Sequence, residues 1–206
     1  MLSWRDTECT RCALRAGCTQ VVRATPPQSQ FSLLVVGEAP GGDEDEQGVG
    51  FVGASGRTLR ALLGEHGLQE GAYGLANVCR CRPPGNRKPA KAEIAACLPY
   101  LADLVAELRP QVILAVGGVP ANVLCAPGTL ASIIDTRQLH NNWEANSRFQ
   151  APHPALKEAL EHVKYIVPMP HTSPLAWNRS APSGLKWATV GRRQIALAAQ
   201  LRDRRA

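Results

Sequence analysis

FSLLVVGEAPGGDEDEQGVGFVGASG, residues 31–56, joins a short apolar run to a glycine-dense, acidic loop. The run from Phe31 to Val36 is β-rich, and a turn-rich segment follows it directly. That combination predicts a strand whose carboxyl end carries polar chemistry, which is where open α/β sheets bind their ligands. Five acids stand between Glu38 and Glu46 (Glu38, Asp43, Glu44, Asp45, Glu46). A bare phosphate prefers amide donors without competing carboxylates, so the loop suits a neutral, hydrogen-bonding ligand better. A solvated acidic turn is the plainer reading of the same residues.

Working outward, strands are expected at Phe31 to Val36, Tyr73 to Val78, Val112 to Val116 and Tyr165 to Met169. Helices are expected at Gly56 to His66, Ala90 to Leu108, Pro120 to Cys125 and Leu185 to Arg202. Strands alternating with helices argue for an α/β fold, with a mostly parallel four-stranded central sheet flanked by helices. With 206 residues and 45% hydrophobic content, the chain is read as a single domain. Residues 1–30 form a cysteine-bearing N-terminal appendage, and 126–162 form a long insertion in which periodicity fails and no clear elements stand out.

The formal net charge is +6 despite the acidic loop, so the positive excess lies elsewhere and can form a face for nucleic acid or another polyanion. No signal-like segment and no membrane-length apolar run occurs, so the expected location is cytoplasmic, with no membrane contact. In a reducing compartment, seven cysteines suggest metal binding more than disulfides. Cys9 and Cys12 form a CxxC, and Cys81 and Cys97 are the best further ligands. Cys79 belongs to the run that enters the core, whereas Cys81 opens a turn and Cys97 sits on a helix. An all-cysteine set fits a [4Fe-4S] cluster or a structural zinc, and spacing does not separate them. Cys18 and Cys125 read as small buried apolar residues.

Three of the expected strands end in unusual polar sequence. The acidic loop follows the first; the second reaches Asn77 and continues VCRCRPPGNRKP; the fourth is followed by Pro170-His171-Thr172-Ser173-Pro174-Leu175. Parallel topology puts these ends on one edge, so Glu38, Phe51, Asn77 and His171 can converge. Ordinary local roles compete with this: Phe51 as core, Asn77 as a turn former, His171 as a capping histidine.

These residues resemble a known family. GEAPGGDEDEQGVGFVGASG is similar to the first signature of the family 4 uracil-DNA glycosylases, and Asn77 to Arg87, NVCRCRPPGNR, resembles a second. His171 to Leu175, HTSPL, is similar to the family's carboxy-terminal loop, and Cys9, Cys12, Cys81 and Cys97 fall where the family binds a [4Fe-4S] cluster.

The resemblance implies an enzyme that flips uracil out of DNA and hydrolyses its N-glycosidic bond, leaving an abasic site at the start of base excision repair. Asn77 would pair with uracil N3–H and O4, Phe51 would stack on the base, and His171 would donate to O2 as charge develops there. Glu38 would orient the water or stabilise the sugar cation, with Ala39 offering its backbone. Glu44 would shape the pocket near uracil C5. Leu175 would fill the vacated stack, and Arg82, Asn86, Arg87, Lys88 and Ser173 would meet the DNA. The implied partners are uracil-containing DNA and other replication or repair proteins, with the enzyme itself a monomer.

Two departures from the family pattern are expected to loosen loops: Gly50 stands in place of proline before Phe51, and Thr172 in place of proline after His171. They leave open a glycosylase for another deaminated base, or one that keeps the sugar as a covalent adduct. A non-catalytic iron-sulfur protein that binds DNA or senses redox state is the alternative from another class.

Overall fold

The computed structural model describes residues 3–28, 33–145 and 152–203. Its four strands are β1 (Leu33–Gly37), β2 (Gly74–Asn77), β3 (Val112–Val116) and β4 (Tyr165–Met169). They pair in the order β2-β1-β3-β4, with every neighbouring pair parallel. Phe31 and Ser32 of the expected first strand lie outside the described residues.

The strand sequences explain the layering. Side chains alternate across a sheet, and a strand covered on both faces is therefore apolar at every position. Leu34, Val36, Ile113, Ala115 and Ile166 face one core, which α4 (Lys91–Leu108) and α5 (Gly118–Leu124) cover. Leu33, Val35, Val112, Leu114, Val116, Val167 and Met169 face the other, beneath α3 (Ala54–Glu65) and α8 (Trp187–Asp203). From α3, Leu59, Leu62 and Leu63 enter that second core, each worth about 1.5–3 kcal/mol in apolar burial. Pro168 lies within β4, an edge strand of the sheet; on the side away from β3 the strand meets only a short bridge, in which Ile166 donates to the Trp143 carbonyl at 2.9 Å.

The N-terminal segment is part of this core. Trp4, Leu14 and Val21 pack with α4, and the short α1 (Leu14–Gly17) lies within the segment. Thr25 exchanges backbone hydrogen bonds with Leu75 of β2 at 2.8 and 2.9 Å, which covers the outer edge of that strand.

Two expectations need correction. The acidic loop contains a helix, α2 (Gly42–Gln47), because Glu44 accepts from the Gly41 N–H at 3.0 Å and caps it, while left-handed Gly48 closes it. The stretch 126–162 is not without elements: it holds α6 (Leu130–Leu139) and 3₁₀ turns at Pro154–Leu156 and Ala159–His162, although 146–151 lie outside the described residues. Thr129 caps α6 by accepting from the Ser132 N–H at 3.1 Å. Its periodicity is hidden because a charged residue, Arg137, takes a fully buried position and directs its guanidinium at the carbonyls of Asn142 and Ile166.

The final short helix, α7 (Pro174–Trp177), is held against α8 by a close approach. A Cβ at Gly191 would lie 2.4 Å from the Trp177 ring and 3.2 Å from Pro170. Replacing Gly191 with alanine therefore overpacks this contact, and urea unfolding should show a loss of about 1–3 kcal/mol. Unchanged stability would mean that the Trp177 packing is not what fixes α7.

Candidate active site

The parallel sheet brings its carboxyl ends to one edge, where a cavity of about 510 Å³ opens. Glu38, Phe51, Asn77 and His171 all line it, together with Ala39, Glu44, Asn86, Arg87 and Ser173. The register sets Gly37 opposite Asn77. A Cβ on Gly37 would fall 2.4 Å from the Asn77 carboxamide oxygen and 2.8 Å from the Phe51 ring. Glycine at the end of β1 thus lets an amide and an aromatic face approach one another across the cavity floor.

Phe51 adopts φ 62°, a left-handed conformation that costs a non-glycine residue energy and has to be held in place. Arg60 holds it, donating from Nε to the Phe51 carbonyl at 3.1 Å and from Nη2 to the Gly50 carbonyl at 3.3 Å. Gly50 itself does not adopt a positive φ. Arg60 therefore restrains the loop at the position where glycine stands in place of proline.

The loop's acids divide by their partners. Glu44 is buried and bridges the loop, accepting from the Gly41 N–H at 3.0 Å and the Gly53 N–H at 2.7 Å. Asp45, which sequence alone allowed to lie in solvent, is buried and accepts from the Thr19 and Gln20 N–H groups, tying the loop to the N-terminal segment. Asp43 is exposed. Glu38 is half-buried in the cavity wall, and burial raises its pKa while Lys88 pulls the other way.

His171 accepts a hydrogen bond on Nδ1 from the Ser173 N–H at 3.1 Å. In the neutral ring the proton therefore sits on Nε2, leaving that N–H as the donor for a ligand. Burial lowers the His171 pKa, with a weaker opposing pull from Glu44, so the neutral form is favoured. The ring packs over Gly117, whose Cβ position would be 3.5 Å from the imidazole. Thr172 is fully buried and donates from its hydroxyl to the Ser55 carbonyl at 2.7 Å, fastening the histidine loop to the first turn of α3. The expectation that threonine loosens this loop is corrected, because its hydroxyl supplies a tether across the cavity.

At the rim, Leu175 on α7 is 73% exposed. The turn Pro84–Asn86 carries Asn86, whose side-chain oxygen accepts from Arg82 Nε at 2.7 Å. Arg87 makes a bidentate pair with Glu93 at 2.7 and 2.8 Å. Glu93 also caps α4 through the Ala90 N–H, and Arg87 above all holds its carboxyl down at about 2.

Away from this edge, Cys9, Cys12, Cys81 and Cys97 line one small cavity with Arg80 and Leu14. Cys97 accepts from the Arg80 N–H at 3.4 Å, and Cys9 from the Tyr100 hydroxyl at 3.5 Å. The Cys97 pKa is lowered, first by the neighbouring Cys79 thiol and then by Arg80. An all-thiol set with hydrogen bonds and cationic charge aimed at sulfur fits an anionic metal-thiolate group. Among the described residues, no three His, Cys, Asp or Glu side chains gather closely enough for a single ion. Cys125 is buried as expected, whereas Cys18 is half-buried and packs against the margin of the same core, with its thiol 3.6 Å from the Arg15 carbonyl. Sequence reasoning passed over Arg80, although an arginine between two cysteines at a strand end is itself a signal.

The sequence profile of the uracil DNA glycosylase superfamily matches residues 24–190. A type-4 uracil-DNA glycosylase of Thermotoga maritima is 32% identical over 180 residues, covering 87% of this chain and 84% of that protein. Those of Pyrobaculum aerophilum and Archaeoglobus fulgidus are 44% and 38% identical over 103 and 109 residues. In these two matches the chain spans about half the length of its relative, 53% and 54%. From the profile match and the Thermotoga relative, aligned over most of both proteins, the chain belongs to the uracil DNA glycosylase superfamily and, within it, to the type-4 family.

Proposed function

We propose that this protein is a uracil-DNA glycosylase, which takes uracil out of DNA and hydrolyses its N-glycosidic bond to leave an abasic site. The observation that carries the reading is the meeting of Asn77, Phe51, Glu38 and the His171 donor around one cavity at the sheet edge. A flipped base is read by hydrogen bonds to its pairing edge and by stacking, against an unstacking cost of a few kcal/mol. The Asn77 carboxamide offers an acceptor for N3–H and a donor for O4, worth about 1–3 kcal/mol of discrimination. The Phe51 face adds stacking of about 1–3 kcal/mol. Cytosine presents the opposite pattern at both atoms.

As the glycosidic bond breaks, negative charge collects on the departing base. His171 donates Nε2–H toward O2 while remaining neutral, so it stabilises the charge without being titrated by it. Glu38, on the sugar side, holds the water that adds to the oxocarbenium-like carbon. Leu175 enters the vacated stack as an apolar wedge. Arg82 and Lys88 serve the phosphates, with Arg87 bracing their loop through Glu93. Glu44 acts on the base through loop shape, since both of its hydrogen-bonding duties are to backbone.

Cys9, Cys12, Cys81 and Cys97 would hold a [4Fe-4S] cluster, each thiolate binding one iron. Bound there, it would supply a cross-link between the N-terminal segment, the end of β2 and α4. The setting implied is a cytoplasmic monomer that hands abasic sites to later repair steps.

The direct assay is incubation with a uracil-containing oligonucleotide followed by alkali, which cuts abasic sites. Cleavage at uracil and none at thymine is expected; no cleavage with iron-replete protein would reject the activity. In single turnover, His171→Ala should slow excision about 10²–10³-fold with DNA affinity little changed. Because the His171 pKa is lowered and the neutral ring is the working form, the rate should stay flat as pH falls past the ordinary histidine value of about 6.5. It should drop only at lower pH, where Glu38 and His171 take up protons. A fall beginning above pH 7 would contradict the neutral donor. Thr172→Val, which removes the hydroxyl tether to the Ser55 carbonyl, should cost about 0.5–1.5 kcal/mol in stability or transition-state binding. Thr172→Pro should recover part of the rate, and equal rates for wild type and Thr172→Val would dismiss the tether.

A further inference from the structure

Arg80 is a buried cation with no anion beside it. Its residue is 6% exposed, and none of the ion pairs among the described residues involves it. Nη2 donates to the Asp6 carbonyl and Nη1 lies 3.5 Å from the Trp4 carbonyl. The guanidinium carbon stands 4.0 Å above the Tyr100 ring. The Nε–H is buried with no hydrogen-bond partner at all. Carbonyls and a ring face solvate a cation in part, but they do not neutralise it, and an unpaired buried charge is strongly disfavoured.

The cavity that Arg80 lines supplies what is missing. Four cysteines open onto it, and the Arg80 backbone N–H already points at the Cys97 sulfur. Four thiolates around a [4Fe-4S] dication leave a dianion, so the group that this site fits carries the opposite charge. We propose that Arg80 is the internal counter-charge of the cysteine-held cluster, with its unpartnered Nε–H serving as a donor to the cluster's sulfur. The inference rests on the cluster reading above. It gives Arg80 two linked functions: it holds the segment carrying Cys9 and Cys12 through the Trp4 and Asp6 carbonyls, and it favours the state of the cluster with more negative charge. Removing the cation should therefore make the cluster harder to reduce.

The test uses anaerobically purified full-length protein, with iron content, the rate of cluster loss to a chelator, and the midpoint potential by protein-film voltammetry. Arg80→Gln keeps a hydrogen-bonding side chain without the charge; it should lose its visible absorbance at least about tenfold faster. Its potential should fall by about 59 mV or more, the one-electron equivalent of a tenfold change. Arg80→Lys keeps the charge but cannot make all the guanidinium bonds, so its potential should stay near wild type even if its cluster is lost faster. A wild-type potential and loss rate in Arg80→Gln would overturn the proposal. If Arg80→Gln cannot be loaded, Arg11→Lys protein grown with guanidino-¹⁵N arginine provides the reading, since Arg11 lines the same cavity: pulsed EPR of the reduced cluster should show a ¹⁵N coupling, and its absence would overturn the proposal equally. Wild-type protein without iron would instead reject the cluster itself, so the two failures are distinguishable.

Discussion

The pairing of Gly37 with Asn77 at the end of the β1–β2 ladder is the constraint on which the site depends. It places a hydrogen atom where any other residue would put a Cβ, and the space so left is bounded by the Asn77 carboxamide and the Phe51 ring. Parallel pairing does the rest. Because all four strands run the same way, the loops that carry Glu38, Asn77 and His171 leave the sheet at one edge. No long-range folding of the loops themselves is needed to bring them together.

What fixes these loops in place is largely a set of buried acids and one hydroxyl. Glu44 ties Gly41 to Gly53, Asp45 ties the acidic helix to Thr19, Glu93 ties Arg87 to the start of α4, and Thr172 ties the histidine loop to Ser55. Each joins segments whose separate geometry matters to the cavity; the three acids answer backbone or guanidinium donors with an oxygen, whereas the Thr172 hydroxyl donates to a backbone carbonyl. Charge-assisted bonds of this kind are stronger than neutral ones, which suits a site that has to be rigid before a base arrives. The acidity of the first loop, which looked like a property of the ligand site, is mainly the means by which the loop is held.

The sheet was legible because strands buried on both faces are apolar throughout, and β1, β3 and β4 have that composition; even the two-residue alternation between cores follows from it. The helices α3, α4 and α8 were legible from their apolar spacing. The helix α2 was not, since five of its six residues are acids or amides and its signal is the cap, Glu44 on Gly41, which depends on backbone geometry. The helix α6 was hidden by Arg137, whose burial is stabilised by carbonyls far away in sequence. The residues that line the cavity could be named because polar residues after apolar strands stand out. Their supports could not, because the Thr172–Ser55 contact spans 117 residues, and although the flanking cysteines mark Arg80 as unusual, its place beside four thiols depends on Cys9, Cys12 and Cys97, which are distant in sequence.

The central claim is that a uracil-sized slot exists over Gly37, between Asn77 and Phe51. Its most direct measurement is the single-turnover excision of uracil from a single-stranded oligonucleotide by wild type and Gly37→Ala, with circular dichroism and unfolding recorded for both. Single-stranded substrate removes the unstacking step, so the comparison reports the slot alone. The account predicts active wild type and a folded Gly37→Ala protein whose excision rate is lower by about 10²-fold or more, about 2.7 kcal/mol at the transition state. Excision by folded Gly37→Ala at the wild-type rate would contradict it.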